Sequence, residues 1–268
     1  MIRQGKRDIL GVMVDVIDYE AAVDQIVAAA VQGRGFAVSA LAVHGVMTGV
    51  LDAEQRYRLN SFDLLVPDGQ PVRWALNLLH SARLKDRVYG PALMLAICQR
   101  CARDRIPIYL YGSSTAVITR LRERLSQRFP GLDIAGAQPS RFRRITAEEK
   151  SGIIAEIRGS GARVVFVGLG CPRQEVWAYE FRDVLAMPVI AVGAAFDFHA
   201  GTVPQAPERL QSAGLEWLYR LAREPNRLWR RYILLNPLYI AMIAAQGLGL
   251  LGLLKRGVRR PQNEMGVG

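Results

Sequence analysis

The segment Arg163-Val-Val-Phe-Val-Gly168-Leu-Gly170-Cys-Pro172-Arg-Gln-Glu175 contains the parts of a strand–loop–helix unit in order. It opens with a short apolar run, which is typical of a strand buried on both faces of a parallel sheet. Two glycines follow, and Pro172 is suited to start a helix. This order predicts that a ligand approaches the backbone at Gly168 and Gly170, where the strand ends.

The same alternation of apolar runs and helical stretches extends from about residue 35 to residue 200. It predicts an α/β fold with a largely parallel, open, Rossmann-like sheet that is flanked by helices. The predicted strands are Phe36–Val43, Asp63–Val66, Ile106–Tyr111, Arg163–Val167 and Pro188–Val192. The predicted helices are Val46–Leu59, Gln70–Leu79, Ala92–Arg103, Ala116–Arg128, Glu148–Arg158 and Gln174–Leu185.

Positive charge is concentrated near the C-terminal end of the chain. The 268 residues include 35 Lys and Arg against 24 Asp and Glu, which gives a net charge of +11. Ten basic and two acidic residues lie between Arg209 and Arg260, so this part alone carries +8. Such a region attracts nucleic acid, an anionic membrane surface or a phosphorylated ligand.

The break Pro204-Gln-Ala-Pro207 divides the chain into a body, residues 1–203, and a basic helical appendage, residues 204–268. Pro225 suits the first turn of a new helix within the appendage. The apolar stretch Ile233–Leu254 is interrupted by polar residues, proline and glycines, which favours an interfacial or docking segment over a membrane-spanning helix. A last core helix followed by a loose tail is the alternative.

Several patterns exclude classes of protein. The three cysteines are too few for a disulfide framework, and no Cys/His cluster has zinc spacing. No Asp-x-Asp occurs, so the usual carboxylate pair for a metal–nucleotide-sugar complex is missing, and we expect neither a metal nor a cofactor. The N-terminus is charged and lacks the apolar run of a signal peptide, which predicts a cytoplasmic protein.

The loop Val66-Pro67-Asp68-Gly69 follows a predicted strand and precedes a predicted helix. Ligands of open α/β sheets bind at the carboxyl ends of strands, so Asp68 is expected to project into the ligand crevice. A carboxylate in that position acts as a general base or holds a sugar hydroxyl. Turn formation alone explains Asp68-Gly69 equally well.

The loop Tyr111-Gly112-Ser113-Ser114 occupies the equivalent place after another predicted strand. Backbone N–H groups at the start of the following helix are suited to bind phosphate. The loop matches neither a Walker loop nor G-x-G-x-x-G. Gly112 and Ser113 are therefore candidate ligand contacts, with a plain strand–helix turn as the alternative.

Two further candidate loops follow predicted strands. After Arg163–Val167, Arg173 is expected beside a diphosphate, and Gln174 and Glu175 occupy the first helical turn. After Pro188–Val192, Gly193 and Phe196 belong to a loop with Asp197, whose aromatic neighbours would raise the pKa of its carboxyl on burial. Asp197 is alternatively the cap of a local turn.

An arginine-rich stretch follows Gly214-Leu-Glu-Trp217. Its arginines recur at helical spacing, which predicts one basic helix face whose register Pro225 can bend, and aromatic residues lie between them. A solvated charged face is the alternative. Arginine binds phosphate through a fixed fork of donors, so this face is expected to hold a phosphate group. The arginines are Arg220, Arg223, Arg227, Arg230 and Arg231.

Taken together, these motifs resemble those of the WecG/TagA/CpsF family of bacterial glycosyltransferases, from about Gly11 to Tyr232. The markers of the resemblance are Pro67-Asp68-Gly69, Gly168-Leu-Gly170-Cys-Pro172-Arg173-Gln174-Glu175, Gly193-Ala-Ala-Phe196-Asp197, Ala206-Pro207 and Gly214-Leu-Glu216-Trp217 through Arg231-Tyr232. The resemblance implies inverting, metal-independent transfer of a sugar from a UDP-sugar to a polyprenyl-diphosphate-linked acceptor, by a protein peripheral to the membrane.

The resemblance also implies roles for individual residues. Asp68 is the base that deprotonates the acceptor hydroxyl, while Arg87 and Gln174 match functional residues of the family. Ser39 and Gly69 join the expected substrate contacts. The appendage, with its arginines, closes over the site and holds the lipid diphosphate.

Two positions depart from the family pattern. The family typically has Thr-x-Asn after the first strand, where this chain reads Ser39-Ala-Leu-Ala42, so the expected amide is replaced by Ala42. The family's Thr-Gly-x-Asp becomes Tyr89-Gly-Pro91-Ala, which lacks the acid. The donor sugar is therefore expected to differ from N-acetylmannosamine.

The sequence thus predicts a UDP-sugar-dependent hexosyltransferase or N-acetylhexosaminyltransferase of cell-surface polysaccharide synthesis, on the inner face of the plasma membrane. A homo-oligomer is possible. The rival hypotheses are a non-catalytic nucleotide-sugar or lipid-phosphate binding subunit and an RNA-binding protein. No RNA-recognition motif accompanies the arginines, so nucleic acid is not an expected partner.

Overall fold

A computed structural model describes residues 1–250 and 257–268, apart from the side chains of Arg227, Arg230 and Arg231. The strands are β1 (Arg3–Ile9), β2 (Val12–Ile17), β3 (Phe36–Leu41), β4 (Leu64–Pro67), β5 (Ile108–Gly112), β6 (Ile134–Gln138), β7 (Val164–Gly168) and β8 (Pro188–Ala191). The helices are α1 (Tyr19–Gln32), α2 (Val43–Leu51), α3 (Ala53–Asn60), α4 (Gln70–His80), α5 (Gly90–Asp104), α6 (Thr115–Arg128), α7 (Ala147–Gly159), α8 (Arg173–Leu185), α9 (Ala195–Ala200), α10 (Glu208–Ser212), α11 (Glu216–Arg223) and α12 (Pro225–Gly247).

The main sheet has six parallel strands in the order β4-β3-β8-β7-β5-β6. Helices α2, α4 and α8 cover one face together with the β1–β2 hairpin, and α1, α5, α6 and α9 cover the other. The chain leaves the neighbouring strands β3 and β8 toward opposite faces, which opens a crevice at their carboxyl ends. The predicted α/β class with its parallel Rossmann-like sheet is confirmed.

The five predicted strands are present with ends shifted by at most two residues. The β1–β2 hairpin and the edge strand β6 were not predicted, and the residues of β6 are mostly small or polar and only partly buried. Helices α2 and α3 were predicted as one helix. The chain breaks there because the Asp52 side chain caps α3, accepting from the N–H groups of Glu54 and Gln55.

Helix α12 packs against the body through one of its faces. Tyr239 and Ile243 are buried against α2 and α4, in the same core as the hairpin. Gln246 fastens the far end of the helix, since its side chain accepts from Leu10 N at 2.9 Å and donates to the Asp8 carbonyl at 3.0 Å. Packing of α12 against the body fits both the docking segment and the last core helix that the sequence allowed, and residues 251–254 of the apolar stretch lie outside the described residues.

The opposite face of α12 is apolar and exposed. It carries Ile233, Leu234, Leu238 and Ile240, each with more than a third of its surface accessible. In the part of the chain that the structure describes, no helix is both long and apolar enough to cross a membrane.

The five arginines of the predicted basic face are divided between two helices, with Arg220 and Arg223 on α11 and the other three on α12. Helix α11 ends at Arg223, and Glu224 has a non-helical backbone before α12 starts at Pro225. Proline lacks an N–H and disfavours helical geometry in the preceding residue, so the register is interrupted at this point. The start of a new helix at Pro225 is confirmed.

Candidate active site

Two adjoining cavities open at the carboxyl ends of β3, β4 and β8. They enclose about 650 Å³ and about 700 Å³ of space, part of it open to solvent. The smaller cavity lies toward α4 and α12, and the larger one lies toward the loop between β7 and α8. Four residues line both cavities, in addition to the residues that line only one: Ala42, Asp68, Glu216 and Arg220.

Asp68 follows β4 and stands between the two cavities. Its Oδ1 accepts a hydrogen bond from the N–H of Gly90 at 2.7 Å, and its own N–H donates to the carbonyl of Leu41 at the end of β3. These two bonds fix the carboxylate against neighbouring segments. The side chain is partly exposed and therefore accessible to a ligand.

The ionisation of Asp68 is set by its surroundings. Withdrawal from bulk water raises the pKa of its carboxyl to about 6, and the negative charge of Glu216 acts in the same direction. Arg87, the N–H of Gly90 and Arg220 oppose this effect. The result is a carboxylate that is ionised at neutral pH and takes up a proton more readily than an ordinary aspartate.

Arg87 connects the segment before α5 to helix α11. Its Nη2 donates to Glu216 Oε2 at 2.7 Å, and its guanidinium lies 4.2 Å from the centre of the Tyr89 ring. The Tyr89 hydroxyl donates to Glu216 Oε1 at 2.9 Å. Arg87 and Glu216 are both buried, so this ion pair is shielded from solvent.

Gln174 and Glu175 lie in the first turn of α8, at the wall of the larger cavity. Glu175 Oε1 accepts from Ser39 Oγ at 2.9 Å and from Gln174 Nε2 at 2.8 Å, which orients the Gln174 amide. Burial raises the pKa of the Glu175 carboxyl. Gln174 Oε1 is buried and has no hydrogen-bond partner among the described residues, so it is available to a ligand donor.

The arrangement described so far agrees with a known family. Residues 7–251 match the glycosyl transferase WecG/TagA/CpsF family. The chain belongs to this family. It is therefore a glycosyltransferase, and the resemblance found in the motifs is confirmed over nearly the whole chain.

A curated relative lies in the same family. The chain is 30% identical over 186 residues to the N-acetylglucosaminyldiphosphoundecaprenol N-acetyl-beta-D-mannosaminyltransferase of Bacillus spizizenii, and the matched part covers 69% of each chain. That protein is named for an N-acetylmannosaminyl group and for a lipid-diphosphate acceptor.

The structure brings together only part of the site predicted for this WecG/TagA/CpsF chain. Gly69 lines the smaller cavity, while Gly170 and Gly193 line the larger one together with Gln174 and Glu175. Gly193 has a φ of +55°, and a side-chain carbon there would lie 3.3 Å from Gln174 Oε1. A residue other than glycine would therefore crowd the amide.

Two other glycines of the prediction are required by packing. A side-chain carbon on Gly112 would lie 2.8 Å from the backbone of Gly168, and one on Gly168 would lie 2.5 Å from the Phe196 ring. Phe196 itself is fully buried. Neither glycine nor Phe196 lines the two cavities, so their roles as substrate contacts stay predictions.

Three polar residues of the prediction lie outside the cavities. Ser113 donates its N–H to Gly168, Asp197 interacts with the Thr202 hydroxyl, and Arg173 donates to the Gly268 carbonyl at 2.8 Å. Of the arginines in the appendage, Arg220 lines both cavities, whereas Arg223 lies over the Tyr219 ring. The side chains of Arg227, Arg230 and Arg231 lie outside the described residues.

One of the two departures from the family pattern faces the cavities. Ala42 lies in the wall of each cavity. Ala92, which stands where the family has its acid, is exposed and lines neither cavity, whereas its neighbour Pro91 lies in the wall of the larger one. Ala40, Val192 and Ala194 also line the larger cavity. The side chains at these positions carry no hydrogen-bonding groups.

Glu216 and Tyr89 line the cavities, although neither was given a role from its sequence. Glu216 is one of two acidic residues in a strongly basic stretch, and an acid in such a place is a signal that it pairs with a cation. Among the described residues, no group of three or more His, Cys, Asp or Glu side chains is placed to hold a metal ion.

Proposed function

We propose that this glycosyltransferase moves a hexose or N-acetylhexosamine from a UDP-sugar to a polyprenyl-diphosphate-linked acceptor, with inversion and without a metal ion. The observation that carries the proposal is the position of Asp68 between two adjoining cavities. A base that serves an acceptor on one side and a donor on the other requires this arrangement. The name of the relative from Bacillus spizizenii supports the class of acceptor.

In the proposed reaction, the carboxylate of Asp68 takes the proton of an acceptor hydroxyl. The hydroxyl oxygen forms a bond to the anomeric carbon of the donor as the bond from that carbon to UDP breaks. A single displacement of this kind inverts the anomeric centre. The pKa of about 6 suits Asp68 to this role because a general base works best with a pKa near the operating pH.

The leaving diphosphate requires positive charge or N–H donors. We assign the donor to the larger cavity because helix α8 begins there and the N-terminus of a helix stabilises an anion. Arg220 reaches the same cavity, and its Nε is buried with no hydrogen-bond partner among the described residues. These groups would replace the metal ion that many sugar transferases use.

We assign the acceptor to the smaller cavity. Trp217, Tyr232 and Asn236 of the appendage line it, beside the exposed apolar face of α12. A lipid anchored in a bilayer would reach the cavity from that face. In this proposal residues 1–203 form the catalytic domain, and residues 204–268 form a membrane-binding and lipid-diphosphate-binding appendage.

The proposed base makes a prediction for pH dependence. Since Asp68 must be ionised to accept a proton, kcat/KM should fall as the pH drops through about 6 and approach a tenfold loss per pH unit below it. Initial rates between pH 4.5 and 8 at subsaturating substrate would measure this acid limb. A flat profile down to pH 5 in the folded enzyme would contradict the assignment.

The exposed face of α12 makes a prediction for membrane binding. Replacing Ile233, Leu234 and Ile240 by serine should weaken binding to vesicles that contain anionic lipid by about tenfold or more, because less apolar surface enters the bilayer interface. Val31→Ser is the control, since Val31 is equally exposed on α1, which covers the other face of the sheet. Equal cosedimentation of the triple variant and the control would contradict peripheral binding through α12.

A further inference from the structure

Glu216 lies at the contact between the appendage and the candidate base. It occupies the first turn of α11 and is buried, and its two carboxylate oxygens bind different partners. Oε2 accepts from Arg87 at 2.7 Å, and Oε1 accepts from the Tyr89 hydroxyl at 2.9 Å. The next residue after Tyr89 is Gly90, whose N–H holds Asp68 at 2.7 Å. A short chain of contacts therefore leads from α11 to the base.

The turn before α11 makes contacts in addition to those of Glu216. Gly214 has a φ of +73°, and a side-chain carbon at this position would lie 2.8 Å from the Trp74 ring of α4. Gln211 of α10 also accepts, through Oε1, from Arg87 Nη2 at 3.3 Å. The Gly214 contact packs the start of α11 against the body, and the Glu216 carboxylate adds the link to Arg87 and Tyr89.

We propose that Glu216 is a positioning residue that makes the docked helix α11 part of the catalytic site. Its carboxylate holds Arg87 and Tyr89 in place beside Asp68 and adds a negative charge next to the base. The inference rests on the proposed role of Asp68. A free acceptor site, with α11 undocked, would lack both the charge and the fixed geometry.

Several charged groups face Asp68, and they determine the direction of the expected effect. Arg87 and Arg220 favour the ionised form of Asp68, while Glu216 disfavours it. Neutralising Glu216 removes the one negative charge in this set and also releases Arg87 to act on Asp68 alone. Both consequences stabilise the Asp68 carboxylate, so the base should lose its proton at lower pH.

The experiment compares pH profiles of kcat/KM for the full-length enzyme and its Glu216→Gln variant. Glutamine has the same size and retains one acceptor for Arg87, while its NH2 group can donate to the Tyr89 hydroxyl, so the negative charge is lost with little change in shape. The acid limb should move to lower pH by about one pH unit. At pH 5 the fraction of plateau activity should then be roughly fivefold higher than in the wild type, even though the plateau itself is lower.

Glu216→Asp is the second variant. It keeps the charge but is one methylene too short to reach both Arg87 and Tyr89. Its acid limb should stay near that of the wild type while kcat falls. A limb that moves as far in Glu216→Asp as in Glu216→Gln would show that altered packing causes the shift, and would overturn the inference.

Asp68→Asn separates this inference from the proposed function. If Asp68→Asn loses turnover and the acid limb of the kcat/KM profile stays in place in Glu216→Gln, the role of Glu216 is overturned and Asp68 remains the base. Normal turnover in Asp68→Asn overturns the proposed function itself. If Asp68→Asn loses turnover and the acid limb shifts in Glu216→Gln but not in Glu216→Asp, the role of Glu216 and the proposed function are both supported.

Discussion

Replacing Asp68 by asparagine should lower kcat by about 10²- to 10⁴-fold, the usual contribution of a general base. Asparagine is nearly isosteric and its Oδ1 can still accept from the N–H of Gly90, so the loop should keep its geometry. The amide cannot take up the acceptor proton. Binding of UDP should change little, because the proposed diphosphate contacts lie on α8 and at Arg220.

The measurement is turnover with a labelled UDP-sugar, together with UDP affinity by calorimetry. Asp197→Asn is the matched control, because Asp197 also follows the end of a strand of the main sheet but lines neither cavity. It should retain most of the activity. A variant at Asp68 that turns over like the wild type, or a variant at Asp197 that is equally inactive, would contradict the assignment of the base.

Replacing Arg87 by alanine should have the second-largest effect. The change leaves the buried carboxylate of Glu216 without its cation, and breaking a buried ion pair costs about 3–5 kcal/mol of stability. It also removes the charge that most strongly favours ionised Asp68, so the acid limb of activity should move to higher pH. We expect kcat/KM to fall by about 100-fold or more in the protein that remains folded.

Denaturant unfolding would measure the loss of stability. pH profiles of kcat/KM, recorded well below the unfolding temperature, would measure the shift of the acid limb separately. Arg87→Lys should recover part of the stability because the charge remains, but less of the activity, because lysine lacks the planar fork. Lys85→Ala is the control for loss of a nearby exposed cation, with an expected change within about 0.5 kcal/mol. Unchanged stability of Arg87→Ala would contradict the buried Arg87–Glu216 pair.

Local patterns were sufficient to predict the framework of the fold. The run Val164–Val167 and its counterparts are apolar because strands of a parallel sheet are buried on both faces, and this signal needs no tertiary information. Strand β6 lacked that signal because its residues are mostly small or polar and only partly buried. Its Gly136 instead packs against the Tyr109 ring of the neighbouring strand, which a sequence pattern does not reveal.

The candidate site was predicted less completely because it depends on contacts between distant segments. Asp68 and Gln174 follow strand ends, so the topology rule places them in one crevice. Arg173 is next to Gln174 in sequence, yet its side chain donates to Gly268, which lies 95 residues further along the chain. Glu216 was not assigned because its partners at Arg87 and Tyr89 are more than 120 residues away.

In the appendage, the single residue Pro225 changes how the spacing of the arginines translates into structure. Arginine spacing predicted one basic face, whereas Pro225 predicted the start of a new helix, and the structure divides the arginines between α11 and α12. Of the arginines whose side chains are described, Arg220 reaches the cavities and Arg223 does not. The positive charge of this region therefore lies partly at the site, on Arg220, and partly on the surface, on Arg223.

The anomeric configuration of the product tests the central claim most directly. The purified enzyme would be given UDP-glucose, UDP-N-acetylmannosamine and UDP-mannosaminuronate in turn, with a short-chain polyprenyl-diphosphate N-acetylglucosamine acceptor and a chelator. NMR of the lipid-linked product should show a β-linked sugar from an α-linked donor, and none above background with Asp68→Asn. An α-linked product would contradict direct displacement by an acceptor that Asp68 activates.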